Sequence, residues 1–211
     1  MSKKIFGLVA VIVIAGFIVY DYDFLKRYYK IYFGTDNMFV SADMAEFDRG
    51  PQVSSQFPMI MATHNGSEIT SINQFAGTAG TVFVVNRSLE WCPYCMKQAI
   101  ELEASYNEFL ENGINLVMMT YDSPEQQAAF INRHSIEYPV LSDVKAQSFA
   151  ALGVLRDDFG PEHRHYGLPY PGMIVVDKSG TIKGKLFIEA YSSRVDTQAV
   201  LNLSKQWLGL E

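Results

Sequence analysis

Trp91-Cys92-Pro93-Tyr94-Cys95 constrains this chain more than any other stretch, because it holds the only two cysteines among 211 residues. Just before it runs Thr81-Val82-Phe83-Val84-Val85-Asn86, a β-branched and aromatic run that reads as a buried strand. Just after it, Met96 to Asn112 places Ala99, Leu102, Tyr106 and Phe109 at steps of three and four. These continue the row begun by Cys95, and Gly113 supplies a helix terminator. The cysteine pair is therefore expected on a strand-to-helix turn, with Cys92 at the helix N-terminus.

That position has chemical consequences. The thiolate is the nucleophilic form of cysteine. A helix N-terminus, with unpaired N–H groups and a partial positive charge, favours the thiolate at Cys92. Pro93 fits the first turn, where its missing N–H costs nothing. Cys95 lies one turn further in, on the buried face, within reach of a disulfide. The pair can accept or donate two electrons, with Cys92 expected as the exposed attacking thiol and Cys95 as the resolving one. No cofactor beyond this redox-active disulfide is implied. No second CxxC or histidine cluster stands at zinc-site spacing. A CxxC beside alternating strands and helices points to redox chemistry.

Apolar residues make up 48% and charged residues 19%, as in a folded globular chain. The net charge of −6 argues against nucleic acid as a partner. Gly-rich phosphate loops, HExxH, GxSxG and EF-hand patterns are absent from the sequence.

Residues 1–4 include Lys3 and Lys4 and precede an uncharged apolar run, Ile5 to Tyr20. At about 1.5 Å per residue the run spans about 24 Å, against about 30 Å of hydrocarbon. Residues 5–20, with room to extend to about 23, are read as an uncleaved transmembrane anchor with the N-terminus in the cytoplasm, a cleaved signal peptide being the competing reading. The protein is thus expected to be single-pass and membrane-anchored, its catalytic domain extracytoplasmic, and periplasmic in a bacterium. Residues 21–56 read as a juxtamembrane helix and linker, and residues 57–211 as the globular domain.

In that domain, Phe57 to Ala62 and Glu68 to Thr70 flank Asn65-Gly66, a hairpin signal. Ile114 to Thr120 reads as a second buried strand. Ser123-Pro124-Glu125-Gln126 is a capping box opening a helix to about His134. Tyr138 to Leu141 reads as a short extended piece and Val144 to Leu152 as a helix. Met173 to Asp177 and Thr181 to Ile188 read as a hairpin, and Ser193 to Leu208 as a final helix. The pattern predicts an α/β fold of three layers, a central mixed sheet with helices on both faces.

These elements resemble the thioredoxin-like superfamily. Within it, residues 57–194 resemble the redoxin group of alkyl hydroperoxide reductase and thiol-specific antioxidant (AhpC/TSA) proteins and their membrane-tethered relatives. The matching pieces are the Trp91–Cys95 motif, Ile114 to Pro124, Leu141-Ser142-Asp143, and Tyr170-Pro171-Gly172-Met173 through Gly180. The resemblance implies a catalytic role for Pro171, with a cis peptide bond facing the cysteines. It departs from the peroxiredoxin pattern at two places. A proline and a threonine expected seven and three residues before the reactive cysteine are Val85 and Leu89 here.

On this departure, a membrane-anchored thiol–disulfide oxidoreductase is the leading expectation. Its partners are a thiol or disulfide protein substrate and an electron donor or acceptor. Trp91, Pro93 and Tyr94 would flank the reactive sulfur, and Tyr170 with Pro171 would form the opposite lip of a substrate groove. A thiol-dependent peroxidase is the first alternative. A copper chaperone using Cys92 and Cys95 with His163 or His165 is the second. Glu90 is a candidate proton-transfer group beside the pair.

Overall fold

The structure, a computed structural model, describes residues 22, 25–26 and 28–210. Residues 28–32 form a helical segment (α1). Then follow β1 (Phe39–Val40), β2 (Ala62–His64), β3 (Ser67–Ile69), β4 (Gly80–Val85), α2 (Pro93–Ala104), α3 (Tyr106–Glu111) and β5 (Ile114–Thr120). The chain continues with α4 (Pro124–His134), β6 (Val140–Ser142), α5 (Gln147–Ala151), β7 (Gly172–Asp177), β8 (Ile182–Phe187), β9 (Arg194–Val195) and α6 (Thr197–Leu208).

Seven strands form one sheet in the order β3-β2-β6-β5-β4-β7-β8. β4, β5 and β6 run parallel, joined by helical crossovers, while β2, β3, β7 and β8 pair antiparallel with their neighbours. The sheet is mixed, as the residue pattern predicts. Alternation along β4 and β5 divides the core in two. Val82, Val84, Leu116 and Met118 face a cluster with Met96, Leu102, Phe109, Phe130 and Val200 from α2, α3, α4 and α6. Phe83, Val85, Val117 and Met119 face a second cluster with Ile60, Ile72, Phe149 and Leu152. Burial on both faces is why β4 reads as an unbroken apolar run.

The Asn65-Gly66 hairpin forms with both residues at positive φ, 49° and 77°, the backbone demanded by its tight turn. The capping box at Ser123 and Gln126 forms in both directions. The helix expected over Met96 to Asn112 breaks at Ser105, whose φ of −106° and ψ of 0° end α2 before α3 begins. The final helix starts late, because the Asp196 carboxylate accepts the Ala199 N–H at 3.0 Å and so caps α6. Residues 194–195, expected in that helix, instead pair in parallel with β1.

Part of the stretch expected as linker is built onto this body. Beyond the β1–β9 pairing, Ser54 N–H donates to the Ile182 carbonyl (2.8 Å) and Phe47 N–H to the Phe187 carbonyl (3.3 Å), covering the β8 edge. The membrane-anchored, extracytoplasmic placement expected from the sequence is corrected. Among the described residues no helix is long and apolar enough to cross a membrane. Residues 5–20, on which that expectation rested, lie outside the described residues.

Candidate active site

Cys92 is the N-cap residue of α2, and its sulfur accepts the Cys95 N–H at 3.3 Å. Pro93 occupies the first turn, as its missing N–H allows. Cys92 and Cys95 are joined as a disulfide with Cα atoms 5.3 Å apart. The expected difference in exposure is not seen: both cysteines are 0% exposed in this oxidised form. Beside the turn the guanidinium of Arg87 lies 5.9 Å from the centre of the Trp91 ring and 5.4 Å from that of Tyr191.

Each sulfur has its own guanidinium. Arg87 Nη2 donates to Cys92 Sγ at 3.2 Å and to the Tyr191 carbonyl at 2.8 Å. Arg194 Nη2 lies 3.4 Å from Cys95 Sγ. Both arginines are buried, at 7% and 2% exposure. Burial lowers the Arg87 guanidinium from its ordinary value to about 10, helped by the charge of Arg156. Burial, with the charge of Arg87, lowers Arg194 to about 9. Both remain cations at neutral pH. Sequence reasoning missed them. Arg87 lies five residues before Cys92 and could have been weighed as a nearby cation, but Arg194 is 99 residues from Cys95 and only the fold brings it there.

The loop carrying Arg87 is held from several sides. Asp122 Oδ2 accepts the Leu89 N–H at 2.6 Å and the Thr120 hydroxyl at 3.0 Å. Burial raises the Asp122 carboxyl above its ordinary value. The Ser88 hydroxyl accepts the N–H groups of Glu90 (3.0 Å) and Trp91 (3.2 Å). Trp91 Nε1 donates to the Tyr121 hydroxyl at 2.7 Å. Glu90 is exposed and accepts from Gln126 Nε2 at 2.6 Å.

The other expected site residues are distributed unevenly. Trp91 is 46% exposed beside the pair, and Tyr94 is half-buried with its ring edge-on to Tyr191 at 5.8 Å. Pro171 is buried and shares a small cavity wall with Gln98 and Arg194, the groups around Cys95. Its expected cis bond is not present, as every described peptide bond is trans. Tyr170 is 8% exposed and packs on Phe47 and under Arg49 and Arg156, so it is a core residue and not a lip. His163 instead stacks on Phe159, and His165 is tilted against the same ring. No group of three or more His, Cys, Asp or Glu able to hold a metal ion occurs among the described residues, so the copper set is not gathered.

A cavity of about 490 Å³ opens beside the pair, lined by Arg87, Trp91, Tyr121, Arg156, Phe159 and Tyr191 among others. Nε of Arg87 is buried and has no hydrogen-bond partner among the described residues. The geometry thus offers a sulfur at a helix N-terminus, a guanidinium on it, a second sulfur in bonding range and an aromatic antechamber.

Residues 53–185 match the model of the AhpC/TSA family. The chain is 29% identical over 113 residues to "Peroxiredoxin Q, chloroplastic" of Gentiana triflora, covering 54% of this chain and 48% of that one. It is 28% identical over 126 residues to the protein of the same name from Sedum lineare, covering 60% and 63%. The chain spans about half the length of several such relatives. A solved peroxiredoxin-like protein from Aquifex aeolicus superposes with a TM-score of 0.63 at 18% identity, over 76% of this chain and 90% of that one. Peroxidoxin BcpB from Mycobacterium tuberculosis gives 0.57 at 20%, over 78% and 98%. At these identities the structural likeness speaks for the fold.

Proposed function

Because the chain belongs to the AhpC/TSA family, we propose that it is a thiol-dependent peroxidase, with Cys92 as nucleophile and Cys95 as resolving thiol. This reverses the order expected from the sequence, where disulfide exchange stood first for want of a hydroxyl at Leu89. The observation that carries the reading is Arg87. Its guanidinium, 3.2 Å from Cys92 Sγ, supplies hydrogen-bond donors from a different position in the turn. The peroxiredoxin names of the relatives support the same choice.

In the proposed cycle the Cys92 thiolate attacks one peroxide oxygen and the O–O bond breaks. The departing oxygen takes a proton and leaves as water or an alcohol, and Cys92 becomes a sulfenic acid. The Cys95 thiolate attacks that sulfur, hydroxide leaves and is protonated, and the disulfide closes. A dithiol reductant then restores both thiols while closing its own disulfide. The guanidinium of Arg87 stabilises the thiolate before attack and the charge leaving on oxygen during it.

A second reading, disulfide exchange with another protein, is favoured by the exposed aromatic rim of Trp91 and Tyr191, 46% and 56% exposed beside the pair. The test mixes reduced protein with hydrogen peroxide and counts thiols lost per peroxide consumed. A loss of two thiols per peroxide that vanishes in Cys92→Ser supports the peroxidase. Thiols that persist with peroxide but are lost to a disulfide substrate support exchange.

A further inference from the structure

Arg194 sits in a cradle made entirely of neutral acceptors. Nε donates to the Gln98 amide oxygen (3.0 Å), Nη1 to the carbonyls of Ser193 (2.7 Å) and Tyr191 (3.1 Å), and Nη2 to the Asn86 amide oxygen and Cys95 Sγ, both at 3.4 Å. The cradle is itself fixed, since Asn86 Nδ2 donates to the same Gln98 oxygen at 3.0 Å. Asn86, Gln98 and Arg194 are buried. The hydrogen bonds satisfy the donors of Arg194, but they do not balance its charge.

A buried cation without an anion is costly, and such groups are normally paired. The ion pairs among the described residues involve neither Arg194 nor Arg87. The charged and titratable groups that act on the two guanidiniums are each other, Arg156, and the phenols of Tyr94, Tyr121 and Tyr191. No carboxylate is among them. The disulfide between the two cations is neutral. The groups in contact with them that can become negative are the two sulfurs, once reduced.

We propose that Arg194 is a catalytic residue for the resolving step, and that its site holds Cys95 as a thiolate in the reduced enzyme. The proposal rests on reading Cys92–Cys95 as redox-active, but not on the choice between peroxide and disulfide as oxidant. When a dithiol reductant opens the disulfide, the S–S bond takes the electron pair and both protein sulfurs are left as thiolates. The reductant closes its own disulfide, and its two protons go to solvent. Each buried guanidinium then faces one anion. The resolving thiol needs no base to remove its proton before it attacks the sulfenic acid.

The test measures thiolate absorbance at 240 nm against pH in the single-cysteine variants. In Cys92→Ser, Cys95 is expected to ionise below the ordinary thiol value of about 8.5. Adding Arg194→Met should weaken its ionisation at least tenfold, and Arg194→Lys should keep part of the effect. In Cys95→Ser, the Arg194→Met change should move Cys92 less. That selectivity separates a charge acting on Cys95 from a merely structural arginine, and the lysine variant covers a methionine variant that fails to fold. Cys95 ionising at or above pH 8.5, or equal shifts at both cysteines, would overturn the proposal. Reversible closing of the wild-type pair in a glutathione redox buffer is read in parallel. Its absence would reject the redox reading itself, whatever the acidity of Cys95.

Discussion

A single guanidinium nitrogen, Nη2 of Arg87, bridges Cys92 Sγ and the Tyr191 carbonyl at 3.2 and 2.8 Å. It couples the reactive turn to the loop before β9, so the wall over the disulfide and the charge on the sulfur are held by one side chain.

Arg87→Met removes the donor on Cys92. Removing one such donor typically costs about 10²-fold in rate. The second-order constant for oxidation of reduced enzyme by peroxide should fall by about that factor. Arg87→Lys should recover part of it as a point charge without the fork. An unchanged constant in the methionine variant would remove Arg87 from the chemistry.

Trp91 and Tyr121 form one wall of the 490 Å³ cavity and are joined by the Nε1-to-hydroxyl bond. Hydrogen peroxide is far smaller than that space, whereas an aryl hydroperoxide would contact the wall. Trp91→Ala should therefore raise KM for cumene hydroperoxide by about 10-fold, the loss of one aromatic contact of roughly 1.4 kcal/mol. Steady-state kinetics with both peroxides checks this, and equal effects on the two would show that the wall does not contact substrate.

Much of the scaffold is legible in the residues. The run at Thr81–Val85, the capping box at Ser123 and the Asn65-Gly66 turn are local signals, and each forms where its own chemistry places it. The charge on the sulfurs is not local. Arg194 lies in a stretch that reads as helix, and it reaches Cys95 because β9 pairs with β1, a segment that reads as linker. The helix-terminus argument for Cys92 survives, but exposure of its sulfur does not: the sulfur is buried, with Arg87 against it and the Trp91 and Tyr191 rings on that guanidinium. Tyr170 fails as a groove residue for the same reason: its neighbours Phe47 and Arg49 come from that linker stretch.

Gly184 lies under the indole of Trp207, and a Cβ there would overlap the ring. Gly184→Ala should destabilise the fold by about 1–3 kcal/mol through overpacking of α6 on β8. Urea unfolding measures it. A loss below about 0.5 kcal/mol would mean that α6 shifts freely.

Asp122 gives a pH signature. Burial raises its carboxyl above the ordinary value of 3.8, outweighing the bonds it accepts from Leu89 and Thr120. The folded protein thus holds that proton more tightly than the unfolded chain. The stabilising contribution is complete below the unfolded value and is lost as pH rises through the higher folded value. Asparagine cannot ionise and can still accept the Leu89 N–H. Relative to wild type, Asp122→Asn should gain stability as pH rises from the unfolded carboxyl value of about 3.9 to the higher folded value. Denaturation midpoints across that range decide it, and a constant or shrinking gain would contradict the buried-carboxyl reading.

The peroxidase reading stands or falls on how fast Cys92 meets peroxide. In stopped flow, reduced protein mixed with hydrogen peroxide should show a Trp91-reported fluorescence change that is second order. Its rate constant should be at or above about 10⁴ M⁻¹ s⁻¹, the low end for efficient enzymes. The change should end in the Cys92–Cys95 disulfide and be absent in Cys92→Ser. Persistence of both thiols under peroxide, with rapid oxidation by a disulfide substrate instead, would contradict it.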